Sequence, residues 1–211
     1  MPQLVYTAAS SLLTLTKEQF ACGMGEVIKH GLIMDADYYE WLQEHREEIL
    51  ARDLSVCEQM ILISCRIKRD VVEQDPTEQG IRGILNFGHT LGHAIEKLMN
   101  FHLLHGQCVA LGSVAAAYLS AKRGEITMDE AVQIRKTFEA FDLPVSIGGF
   151  ELSEDEIIAA TKNDKKMDSG KIKFILLHRI GEAFIDRTVT DVQMKESLEW
   201  LMGGTDENEG I

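Results

Sequence analysis

Arg82, Asn86, His89, His93 and Glu96 follow one another at intervals of four and three along Arg82-Gly-Ile-Leu-Asn86-Phe-Gly-His89-Thr-Leu-Gly-His93-Ala-Ile-Glu96. In a single helix these side chains form one polar stripe, because residues three and four apart share a face. Leu85, Leu91, Ile95 and Leu98 fall on the other side and give that helix an apolar face to bury. The polar stripe is therefore not needed for folding. A face that merely meets water draws on Glu, Lys and Gln, whereas two imidazoles, an amide and a guanidinium suit an anion or a metal ion. Gly88 and Gly92 run beside the stripe, each weakening a helix interior by roughly 1 kcal/mol relative to Ala. Two glycines at that spacing predict that something approaches the backbone closely.

A divalent ion of the zinc type takes three or four N, O or S ligands, and a catalytic site leaves one position for water or substrate. Glu26, His89 and His105 would supply such a set from three separate segments. His89 with His93, four apart on one helix face, is an alternative chelating pair, and spacing does not choose between the two. His30, His45, His102 and His178 read most simply as surface or core-edge residues. Neither HExxH nor a cysteine-rich zinc spacing occurs, which disfavours a zincin or a structural zinc module.

The elements that must position these groups are mostly helical. Residues 3–8 read as a short strand, followed by a Ser/Thr-rich turn ending at Thr16. Thr16 and Gln19 form a capping box that opens a helix, with Phe20, Met24, Val27 and Leu32 on its apolar face and Glu26 and Lys29 on another side. Further helices are expected over residues 38–50 and 54–74, the second with Ile61, Cys65 and Val72 along one stripe and ending at Asp75-Pro76. Lys68 falls inside that stripe, where a lysine ordinarily reaches to solvent on its aliphatic stem. A loop carrying His102, His105 and Gly106 follows the polar-striped helix, and the alanine-rich residues 109–121 predict a closely packed central helix. Residues 129–141 and 153–161 continue the helical pattern, and residues 171–177 with 182–186 predict a hairpin. The fold class is mainly α, a multi-helix domain with a short β-hairpin near the carboxy terminus.

The 211 residues carry 21 Lys and Arg against 34 Asp and Glu, a net charge of −13, which repels phosphodiester backbones and anionic lipid. Neither nucleic acid nor a membrane is an expected partner. Cys22, Cys57, Cys65 and Cys108 show no CxxC pair and no dense disulfide frame, so reduced thiols with packing roles in a cytoplasmic protein are expected.

An ordered series of segments carries a resemblance. It comprises Leu12-Leu-Thr14-Leu; Gly23-Met-Gly-Glu26-Val-Ile-Lys29-His-Gly-Leu-Ile; Lys68 with Val71-Val72; the run from Glu78 through Arg82, Asn86, His89 and His93 to Glu96; His105-Gly106; Asp164-Lys165-Lys166; and Gly170-Lys-Ile-Lys-Phe-Ile-Leu-Leu. Together these resemble the carboxy-terminal domain of the 3-dehydroquinate synthase family, over nearly everything from residue 3 to about 200. The resemblance implies that Glu26, His89 and His105 hold a zinc (or cobalt) ion and that His93 contacts substrate. It further implies that Lys29 and Glu78 attend the reacting hydroxyls, Lys68 and Arg82 the substrate carboxylate, and Asn86, His93 and a lysine of the Lys165-Lys166 pair the phosphate. Lys68 then becomes a buried anion receptor rather than a surface residue. The implied reaction is the shikimate-pathway cyclisation of 3-deoxy-D-arabino-heptulosonate 7-phosphate to 3-dehydroquinate, with loss of phosphate and with NAD as a transient oxidant.

The family's other half is a Rossmann-like NAD-binding domain, and no GxGxxG turn occurs in this sequence. Thr14 alone matches a position near that cofactor. Residues 1–16 are accordingly expected to be a strand and linker left from the missing NAD-binding domain, residues 17–203 the helical metal and substrate domain, and residues 204–211 a disordered acidic tail. A strand without its sheet favours association, so a homo-oligomer is expected. Gln107 stands where the family usually has Glu, and Thr16 where Pro is usual, departures that with the missing NAD half keep a non-catalytic metal-binding helical module as an alternative; a related sugar-phosphate cyclase is a second, against which Asn86 and His93 resemble the dehydroquinate version more.

Overall fold

Thr16 opens the first long helix as the local pattern predicts. Its hydroxyl accepts from the Gln19 amide at 3.1 Å while the Gln19 side chain accepts from the Thr16 amide at 2.9 Å, which starts α1 (Lys17–Met34). Phe20, Met24 and Leu32 bury one face of it, with Val27 at the edge. The computed structural model describes residues 6–162 and 172–203. Of the strand expected over residues 3–8, the first three positions lie outside the described residues, and Tyr6, Thr7 and Ala8 form no strand. The Ser/Thr-rich segment after them is a 3-10 helix, Ala9–Thr14, held down by Arg52, which donates to the carbonyls of Leu12 and Leu15.

The single helix expected over residues 38–50 is two, α2 (Ala36–Glu44) and α3 (Arg46–Leu50), interrupted where the His45 ring stacks on Trp41 and its backbone leaves helical geometry. α4 (Leu54–Gln74) ends at Asp75 before Pro76, as expected. Its buried seam, however, is Cys57, Met60, Ser64, Ile67 and Val71 rather than Ile61, Cys65 and Val72, and Cys65 is exposed. Two adjacent apolar stripes compete on this helix, and packing against α1 selects the one whose Ser64 meets His30 at 2.7 Å. Lys68 consequently lies outside the buried seam and is exposed, which corrects the expectation of a buried anion receptor.

The polar-striped segment is not one helix. Residues Ile81–Asn86 form a 3-10 helix, Gly88 turns the chain at φ 78°, and α5 (His89–Leu98) begins one residue later. That positive φ is open to glycine at no steric cost. His105 and Gly106, expected in a loop, form the first turn of α6 (His105–Lys122), which Gln107 caps by accepting from the Leu104 amide at 2.8 Å. α6 is the central helix that its alanines predict. Residues 108–120 are buried throughout, and the helix packs against α1, α5, α7 (Met128–Ala140), β1 (Phe174–Arg179) and α9 (Asp191–Leu201).

Thr127 caps α7, Ser153 and Glu156 bond reciprocally at the start of α8 (Glu154–Lys162), and β1 pairs antiparallel with β2 (Glu182–Asp186) to form the expected hairpin. The hairpin tip is fixed to the helical body by the Gly181 amide, which donates to the Leu32 carbonyl at the end of α1 at 2.9 Å. α9 is a helix beyond those that the sequence pattern predicts. It closes the domain by stacking Trp200 on Tyr118 of α6. Residues 204–211, where a disordered tail is expected, lie outside the described residues, and no described helix is long and apolar enough to cross a membrane.

Candidate active site

Glycines decide where the helices cross. A β-carbon on Gly25 would lie 3.0 Å from the Gly106 carbonyl carbon, and one on Gly92 would lie 2.6 Å from the Cys108 carbonyl oxygen. What approaches the backbone at Gly88 and Gly92, as their spacing predicts, is α6 itself. Glu26 follows Gly25, His89 follows Gly88 and His105 precedes Gly106. The three candidate ligands sit at the points where α1, α5 and α6 come closest.

Glu26 Oε1 lies 3.8 Å from His89 Nε2 and 3.6 Å from His105 Nε2. These separations are too long for hydrogen bonds, whereas two ligands each about 2.1 Å from one tetrahedral ion stand roughly 3.4 Å apart. Glu26 Oε1 is also buried without a hydrogen-bond partner among the described residues. An orphaned carboxylate oxygen between two imidazole nitrogens fits a divalent cation. His93 joins the group, since His89, His93 and His105 each bring a ring nitrogen within 4.8 Å of the others. Both arrangements that the sequence left open therefore meet at one place.

The other oxygen of Glu26 is occupied. Lys29, only 2% exposed, donates from Nζ to Glu26 Oε2 and to the Leu85 carbonyl, both at 2.7 Å. Burial, reinforced by Lys68, lowers the Lys29 pKa despite Glu26. For Glu26, burial pushes upward, but Lys29 through charge and hydrogen bond, with help from His89 and His30, holds the carboxyl below its ordinary value. Burial and then the Lys29 charge push His89 down to about 4, so a neutral imidazole is available as a ligand. His89 Nδ1 faces the Phe87 carbonyl at 3.1 Å, which leaves Nε2 for the centre.

Beside this centre opens a cleft of about 200 Å³ lined by Glu26, Lys29, His30, Lys68, Glu78, Arg82, Leu85, Asn86 and His89. Asp75 knots the loop that forms one wall, accepting from the amides of Gln79, Gly80 and Arg82 at 3.0, 2.7 and 3.1 Å. Glu78 sits within that knot at φ 58° and accepts from Asn86 Nδ2 at 3.3 Å. Two residues of this region do more than the sequence pattern suggests. His30, expected at the surface or core edge, is buried at the cleft floor, and Asp75, expected only to stop a helix, organises the loop. The place of Asp75 before Pro76 and ahead of a glycine-containing loop was the available signal.

Thr14 is separate, its hydroxyl donating to the Ser11 carbonyl at 2.8 Å on the first 3-10 helix. Lys165 and Lys166 lie outside the described residues. Gln107, one of the two departures from the family pattern, accepts through Oε1 from the Leu104 amide and donates through Nε2 to Glu18 at 3.4 Å, so it serves as a helix cap. Thr16, the other departure, is likewise a cap.

The fold defines the class first. A solved structure of 2-epi-5-epi-valiolone synthase from Streptomyces hygroscopicus subsp. jinggangensis 5008, with NAD+ and Zn2+ bound, superposes with a TM-score of 0.84 at 22% identity, over 92% of this chain and 54% of that one. A 2-deoxy-scyllo-inosose synthase complexed with carbaglucose-6-phosphate, NAD+ and Co2+ gives 0.72 at 23% identity, over 87% and 52%. The chain thus shares the fold of about half of each of these two synthases.

Within that class the sequence is more specific. The family profile described as 3-dehydroquinate synthase C-terminal matches residues 23–167. The 3-dehydroquinate synthase of Nitrosomonas europaea is 42% identical over 198 residues, 93% of this chain and 53% of that protein, and that of Dichelobacter nodosus is 37% identical over 211 residues, 100% and 56%. The chain belongs to the 3-dehydroquinate synthase family, and it spans about half the length of these relatives.

Proposed function

We propose that this chain is the metal- and substrate-binding half of a 3-dehydroquinate synthase, the enzyme that converts 3-deoxy-D-arabino-heptulosonate 7-phosphate to 3-dehydroquinate with loss of phosphate. The observation that carries the reading is Glu26 Oε1, without a hydrogen-bond partner among the described residues, between His89 Nε2 and His105 Nε2, at the edge of a cleft that gathers Lys29, Lys68 and Arg82 in a protein of net charge −13. Glu26, His89 and His105 would hold zinc or cobalt. Such an ion, when bound, supplies a Lewis acid for hydroxyl and carbonyl oxygens of a sugar.

The chain's own groups divide the rest. Arg82 offers a planar fork to the substrate carboxylate, with the exposed Lys68 on the cleft wall as a second charge. Asn86 and His93 would hold the phosphate, joined by Lys165 or Lys166. Lys29, whose pKa is lowered, and Glu78, on its knotted loop, would hold or pass protons at the reacting hydroxyls. Fixing a carboxylate and a phosphate at once keeps the substrate in register through several steps, so positioning supplies much of the catalysis. Thr14 is the one residue here assigned to NAD, and it does not by itself form a dinucleotide site. NAD binding is assigned to the remaining length of the relatives, with this half contributing Thr14 at the junction.

The test is metal analysis of the full chain after zinc loading and dialysis, beside a His89→Ala variant. One zinc per chain, lost in the variant, is expected. Equal zinc in both proteins, or none in either, overturns the reading.

A further inference from the structure

Glu96 has no part in the scheme so far, yet it reaches the same centre. It lies on the last turn of α5, and its Oε2 is 3.3 Å from Nδ1 of His105 on the first turn of α6. Of the pair, the Glu96 side chain is 17% exposed and that of His105 45%. His105 is thus more exposed than His89, at 14%, and it follows a loop in which Asn100 and Phe101 take left-handed backbone angles of 47° and 60°. Packing alone holds such a ring weakly.

A neutral imidazole carries its proton on one nitrogen and leaves the other as a lone pair. An ionised carboxylate only accepts, so Glu96 favours the proton of His105 on Nδ1 and frees Nε2, the atom that faces Glu26 Oε1 at 3.6 Å. His89 solves the same problem with the Phe87 carbonyl. The two rings therefore present the same nitrogen to the same place through different partners.

We propose that Glu96 is the positioning residue of the centre, fixing the tautomer and orientation of His105 and thereby the affinity for a divalent ion. This rests on Glu26, His89 and His105 being the ligands. Outer partners of metal-bound histidines are worth about 10–100-fold in affinity.

The experiment uses the full chain in four forms, wild type, Glu96→Gln, Glu96→Ala and His89→Ala, with folding checked by circular dichroism. Zinc affinity is measured against a chromogenic chelator, and the His105 tautomer is read in the metal-free protein from nitrogen chemical shifts. Zinc binding should weaken from wild type through Glu96→Gln to Glu96→Ala, about 10–100-fold at the last, and the Nδ1–H form of His105 should give way to a mixture. The glutamine variant preserves shape, so it keeps the test decisive if the alanine variant folds poorly. Equal affinity and an unchanged tautomer across the Glu96 variants would overturn this proposal alone. No zinc bound by wild type, or full binding by His89→Ala, would overturn the ligand assignment and this proposal with it.

Discussion

Gly25 and Gly106 meet backbone to backbone, with no space for a β-carbon on either, and this crossing of α1 and α6 sets Glu26 beside His105. Backbone cannot rotate away as a side chain can. Gly25→Ala and Gly106→Ala should therefore each lower unfolding stability by about 1–3 kcal/mol and weaken zinc binding as the ligands move apart. Gly23 is on the same helix, and a β-carbon there would meet nothing within 4 Å, so Gly23→Ala should be neutral or stabilise by up to about 1 kcal/mol. Urea unfolding of the three variants separates crossing from helix propensity.

Lys29→Met should destabilise the metal-free protein by about 2–3 kcal/mol, the range for losing a charged hydrogen-bonding group. The substitution strips Glu26 Oε2 and the Leu85 carbonyl of their shared donor. Zinc should then raise the melting temperature of this variant by more than that of wild type, because the ion meets a Glu26 without a competing cation. Paired thermal melts with and without zinc check both effects.

His30 predicts a dependence on pH. Burial, then the charge on Lys29, holds its pKa at about 4 against an ordinary 6.5, so the folded state keeps it neutral while the unfolded chain takes up a proton. A lowered histidine pKa contributes stability that is complete above about pH 6.5 and is lost as pH falls toward 4. Stability of the metal-free protein should drop by about 1–2 kcal/mol between pH 7 and 5 from this group. In His30→Gln that part of the slope should vanish, as urea midpoints across the range would show.

Asp75 accepts three amides of the loop that carries Glu78 and Arg82, and those bonds hold its carboxyl below the usual carboxylate range. Asp75→Asn keeps the shape but gives up the charge and one acceptor. Hydrogen exchange at Gln79, Gly80 and Arg82 should accelerate, with α4 amides unchanged. Uniform acceleration through α4 would mean that Asp75 stabilises the helix rather than the loop.

Local chemistry is legible in the sequence wherever neighbouring residues settle it. The Thr16–Gln19 cap, the stop at Asp75-Pro76, the alanine-rich α6 and the hairpin each depend on residues within a few positions of one another. The stripe from Arg82 to Glu96 is legible as chemistry but not as shape, because periodicity does not register that Gly88 turns the chain at φ 78°. The seam of α4 escapes sequence reading for a related reason. Ile61 and Val72 are as apolar as Ile67 and Val71, and packing against the rest of the domain, α1 foremost, distinguishes them.

From its order of residues alone, this protein has a mainly helical fold, a family and a set of side chains fit for a cation and an anionic sugar. That Glu26, His89 and His105 share one point, that Lys29 is buried against Glu26, and that Glu96 stands behind His105 are outcomes of three helices crossing on glycines. Distances between segments far apart in the chain arise from packing, and periodicity along one chain carries no information about which helix will lie against which.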